Sequence, residues 1–108
     1  MSRTLRILER ATSDVDAIFN WLVPRSVQGA ISWYLAFRRS ADKIAEAPQS
    51  FARAPEADRL SRDLRQALFK TRRGRTYRIV FEFTDSEIFV LRVRGPGQRP
   101  LGRGDMAE

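Results

Sequence analysis

Seven basic residues, Arg62, Arg65, Lys70, Arg72, Arg73, Arg75 and Arg78, crowd one stretch of the chain against a single acid, Asp63. Arginine presents a planar fork of donors that suits phosphate and carboxylate, so this stretch is a candidate for gripping nucleic acid or an acidic protein. Arg92 and Arg94 add to it, two residues apart and therefore on one side of an extended strand. An arginine can also stabilise a phosphorane-like charge, but a pKa above ~12 makes it a poor proton shuttle. Lys70 could serve as a base only if burial and its arginine neighbours depressed its pKa.

Other chemistries are thin. The 108 residues include neither Cys nor His, which removes disulfides, thiolate nucleophiles, imidazole bases and zinc sites, and no cofactor or metal is expected. Twenty basic against thirteen acidic residues give a net charge of +7, and eighteen of the twenty are Arg. Up to Ser61 nine basic residues meet seven acidic ones, so the excess is concentrated between Arg62 and Arg78. With 43% hydrophobic residues the chain can build a core, and its length suits one domain. No apolar run approaches the ~18 residues of a membrane span, so a cytoplasmic protein without a membrane partner is expected.

The elements that would position the arginines follow from periodicity. Thr4 to Glu9 alternates like a short strand. Ser13-Asp14-Val15-Asp16 resembles a capping box, after which Val15, Ile18, Phe19, Leu22 and Val23 form one helical stripe that Pro24 ends. Ser26 caps a second helix whose apolar positions are Ala30, Trp33, Tyr34, Phe37, Ala41, Ile44 and Ala45, stopped by Pro48. So short a link makes the pair an antiparallel helical hairpin. Gln49 to Leu60 lacks periodicity and reads as a surface connection. Leu64–Lys70, Thr76–Phe83 and Glu87–Arg94 then alternate as three strands of an antiparallel meander, completing an α+β fold. The domain is expected to span residues 1–98, with 99–108 a mobile, Gly-rich tail.

Alternation also sorts the faces. Tyr77, Ile79, Phe81 and Phe83 share one side of their strand, and Phe89, Leu91 and Val93 one side of the next. These faces should meet the hairpin, burying Phe19, Leu22, Trp33, Phe37, Ile79, Phe81 and Leu91 together. Arg78, Arg92 and Arg94 should then project from an uncovered face, with Lys70 or the loop residues Arg72, Arg73 and Arg75 at its edge. A solvated face would explain the same charges, but Val80, Ile88 and Val90 beside them suggest a groove with an apolar floor.

Strand, hairpin, Pro-containing connection and meander, in that order, resemble the RelE/ParE superfamily of toxins from type II toxin–antitoxin systems, often labelled plasmid stabilization proteins. The resemblance is carried by Ala11-Thr12-Ser13-Asp14-Val15-Asp16-Ala17-Ile18, Ala47-Pro48-Gln49-Ser50-Phe51, Leu64-Arg65-Gln66-Ala67-Leu68, Tyr77-Arg78-Ile79-Val80-Phe81 and Val90-Leu91-Arg92-Val93. It implies a growth-arresting toxin neutralised by a cognate acidic antitoxin.

Two branches of the superfamily imply different targets. RelE-like members are metal-independent endoribonucleases that cut mRNA on the ribosome, which would give catalytic roles to Lys70, Arg78 and Arg94. Such members often carry a Tyr or His near the C-terminus, and Gly95 to Glu108 has neither. ParE-like members poison DNA gyrase by protein contact, which would make Arg72, Arg73, Arg75, Arg78, Arg92 and Arg94 target-binding or phosphate-binding residues. The incomplete acid/base set favours the ParE-like branch and therefore no enzymatic activity. A nontoxic basic binding module is a third reading.

Overall fold

The computed structural model describes residues 3–106. Strand β1 (Thr4–Ile7) leads into helix α1 (Glu9–Leu22) and helix α2 (Val27–Glu46). A 3-10 turn (Pro48–Ser50) and the short helix α3 (Ala57–Leu60) precede β2 (Arg65–Phe69), β3 (Tyr77–Phe83) and β4 (Glu87–Arg94), and a final 3-10 turn spans Arg103–Met106. The sheet order is β1-β4-β3-β2, with β1 parallel to β4 and the remaining pairs forming the expected antiparallel meander. This is the RelE/ParE-like α+β arrangement read from the sequence.

The hairpin forms largely as its periodicity requires. Ser26 Oγ accepts the Gly29 N–H at 2.9 Å and opens α2. Trp33, Phe37, Ala41 and Ile44 are buried along one stripe. Tyr34 is a correction: it is 40% exposed, edge-on to Phe19, and Phe19 and Leu22 are only half-buried. Helix α1 also starts four residues before Ser13, at Glu9, with Leu8 in extended backbone as its cap and no side-chain capping bond. Leu8 N–H donates to Val90 O at 3.1 Å, prolonging the β1–β4 ladder into the helix. Docking of the fully buried Ala11 thus sets the helix start in place of a local cap.

One core fills the space between hairpin and sheet, built on Trp33, Phe37, Ile44, Phe69, Ile79, Phe81, Ile88, Val90 and Val93. A second cluster, including Ala57, Leu60, Leu64, Val80, Leu91, Leu101 and Met106, covers the opposite face. Two expectations change as a result. The connection before β2 is a packed cover, with Ala54, Glu56, Ala57 and Leu60 buried. Within 99–108, where the sequence suggests a mobile tail, Leu101 is fully buried and Met106 is 7% exposed, while 107–108 lie outside the described residues.

Strand β3 keeps simple alternation, and β4 does not. Val80 pairs with Arg92 and Phe81 with Val90, so Leu91 is an extra residue at a β-bulge. Beyond that point the parity of the strand reverses. Ile88 and Val90 therefore join Val93 in the hairpin core, while Leu91 and the partly buried Phe89 pack in the second layer. The expected grouping of Phe89, Leu91 and Val93 on one face is wrong for this reason.

Candidate functional site

Arg78, Arg92 and Arg94 do gather on adjacent strands, Arg78 directly opposite Arg94. Their face is covered, however, and each guanidinium is engaged. Arg78 grips the carboxylate of Glu56 through both terminal nitrogens, Nη1 donating to Oε1 at 2.9 Å, and Nη1 also donates to Gln66 Oε1 at 3.2 Å. Glu56 is only 1% exposed, and its Oε2 additionally accepts the Leu101 N–H at 3.0 Å. Burial alone would raise the Glu56 carboxyl, but the bonds from Arg78 and Leu101 outweigh it and hold the pKa down to about 2.

Arg92 makes the second clamp. Its Nε and Nη2 donate to the Asp14 carboxylate at 2.7 and 2.9 Å, and its Nη1 to the carbonyl of Asp105 at 2.8 Å. Hydrogen bonding to Asp14 lifts the Arg92 guanidinium above its ordinary range, against the cost of burial. Asp14 also accepts the Val93 N–H at 2.9 Å, past the point where β1 stops pairing with β4. Arg94 is 7% exposed and donates to the Arg99 carbonyl at 2.8 Å. Burial, followed by the charge of Arg92, pushes its pKa down. Arg99 pairs with Asp105 at 2.7 Å, closing the C-terminal segment over these arginines. Sequence reasoning missed Glu56, Asp14 and Asp105. Glu56 lies in a segment without periodicity, and Asp14 sits inside the Ser13-Asp14-Val15-Asp16 stretch that reads as a capping box.

The loop arginines have the opposite character. Arg72, Arg73 and Arg75, between β2 and β3, are exposed, and among the described residues no carboxylate pairs with them. Arg75 borders an open cavity of about 470 Å³ whose walls include Ile18 and Trp21 of α1, Tyr77 of β3, and Gly95 and Pro96 after β4. A smaller cavity of about 190 Å³ shares Trp21, Arg75 and Tyr77 and adds Arg25 and Trp33. Tyr77, expected wholly in the core, is half-buried and lines this cleft. Lys70 lies elsewhere, lining a separate cavity with Arg39 and Lys43 of α2. Of the three residues a ribonuclease reading would use, Arg78 and Arg94 are cross-strand partners, while Lys70 follows the end of β2 and lines this other cavity.

The model of the family described as ParE toxin of type II toxin-antitoxin system, parDE, matches residues 5–100. The chain belongs to the ParE toxin family. No curated protein matches it individually. Membership gives this ParE-family chain its class, a toxin of a type II toxin–antitoxin system, and its class of partner, a cognate antitoxin. The ParE match ends at Pro100, so Leu101 and Asp105, which close the buried clamps, lie just beyond it. Among the described residues no helix is long and apolar enough to cross a membrane.

Proposed function

We propose that this chain arrests growth in the cytoplasm by binding and inhibiting DNA gyrase, with an acidic cognate antitoxin neutralising it. The observation that carries this reading is the engagement of Arg78 by the buried carboxylate of Glu56. A ribonuclease needs that guanidinium free to meet a developing phosphate charge. Here a transition state would have to compete with a buried, bidentate ion pair, and Lys70, the only candidate base of the trio, lines a cavity with Arg39 and Lys43 of α2. Arg75 instead borders a cleft walled by apolar and aromatic residues, with the unpaired Arg72 and Arg73 beside it in the same loop, a combination suited to gripping a protein.

Purified protein tested side by side on gyrase supercoiling and on mRNA in translating ribosomes decides the matter. Inhibited supercoiling with intact mRNA is the expected outcome. Ribosome-dependent, codon-specific cuts by the wild-type protein would overturn it and return Lys70, Arg78 and Arg94 to catalytic roles.

A further inference from the structure

The cleft beside Arg75 has a chemistry of its own. Its larger cavity, about 470 Å³, is roomy enough for one bulky side chain, and its walls are chiefly Ile18, Trp21, Tyr77 and Pro96. Trp21 is 56% exposed, an unusual position for so large an apolar surface. Arg25 stacks on the Trp21 ring at 3.5 Å from its centroid and donates to the Trp21 carbonyl at 2.6 Å, which holds a guanidinium on the face of Trp21 beside the adjoining cavity. Arg75 lines both cavities, with Arg72 and Arg73 next to it in the loop. Trp33, 3% exposed, lines the adjoining cavity, and its indole Nε1 has no hydrogen-bond partner among the described residues. The remaining wall is the turn after β4. Gly97 has φ 79°, and a side chain at Gly95 would start 3.1 Å from the Tyr77 ring, so glycine holds the cleft open there.

We propose that this cleft is the docking site for an acidic segment of the toxin's target protein, with one bulky apolar side chain seated against Trp21 and Tyr77 and flanking carboxylates on Arg25, Arg72, Arg73 and Arg75. Charge complementarity selects an acidic occupant. A second copy of a chain with net charge +7 would bring like charge to the arginines. The walls, with Ile18 and Pro96 beside the two aromatics, suit a buried side chain better than a ladder of stacked bases. The proposal deepens the protein-contact reading above and rests on it.

The test uses the full chain and a short labelled peptide in which glutamates flank a central Phe, with intrinsic Trp fluorescence as a second readout. Binding should drop about tenfold or more when the Phe is replaced by Ala, and by a similar factor in Trp21→Ala and in Arg75→Glu. Arg39→Glu, on the separate cavity of α2, should bind as wild type does. Supercoiling assays on the same variants should follow the same order. Equal binding of the Phe and Ala peptides would overturn the anchor, and a single-stranded oligonucleotide outcompeting the peptide would assign the cleft to nucleic acid. Variants that lose the peptide yet inhibit gyrase as wild type does would give the cleft to another partner. A wild-type protein that binds the peptide but leaves gyrase active would refute the gyrase target while sustaining the cleft's chemistry.

Discussion

Glu56 is the residue on which the covered face turns. It holds Arg78 by both nitrogens and the Leu101 backbone by one oxygen, with no access to water to share the load. Glu56→Gln keeps an acceptor for Leu101 but leaves the Arg78 charge buried without its counterion, and the variant should lose about 3 kcal/mol of stability at neutral pH. Urea unfolding measures this directly. The acid dependence has a definite sign. Because the folded pKa is depressed to about 2, the ionised carboxylate contributes stability that is complete above the ordinary carboxylate range and is lost as pH falls from about 4.5 to about 2. Asp105, also held low, chiefly by its bond from Arg99, acts in the same direction. Unfolding curves at successive pH values should therefore show wild type weakening in acid and Glu56→Gln changing less. Arg78→Ala removes the other partner, so its effect on toxicity should track a fall in melting temperature; inactivity with unchanged stability would instead indicate chemistry at Arg78.

At the scale of elements, what could be read from the sequence depends on whether the governing contact is local. Ser26, three residues from the Gly29 N–H that it caps, was legible, and Ser26→Ala should cost about 1 kcal/mol in the same unfolding experiment. The pairing of two helices and three strands was legible as well, because each carries its own period. The start of α1 was not, since Leu8 is committed to a strand partner more than eighty residues away in sequence. Nor was the bulge at Leu91: a run of Ile88-Phe89-Val90-Leu91 is apolar at every position and so contains no marker of where parity changes. Two residues two apart, Leu91 and Val93, consequently serve different cores. The arginine cluster was legible from composition, but the covering of Arg78, Arg92 and Arg94 was not, because the residues that engage them come from three distant segments. Leu101→Ala, at a fully buried position in the least conspicuous of these segments, should cost about 2 to 4 kcal/mol, read by thermal or chemical unfolding.

Across the whole molecule the arginines divide into an inner set that holds two layers together and an outer set free to meet a partner. Replacing Arg72, Arg73 and Arg75 together by Ala should leave stability within about 0.5 kcal/mol, as for other surface sites, yet weaken gyrase inhibition, and added salt should weaken the wild type similarly. Melting curves and supercoiling assays at two ionic strengths check both halves of that expectation. The clamps on the C-terminal segment also have a bearing on how the protein is born. Helices α1 and α2 contact each other early in the sequence and can pair during synthesis, but β1 finds its neighbour only when β4 has been made. The second layer waits longer still, for Leu101, Asp105 and Met106. A chain made only as far as β4 therefore has its second layer covered by residues 54–60 alone, and its inner arginines gain their remaining partners only once residues 99–106 have emerged from the ribosome.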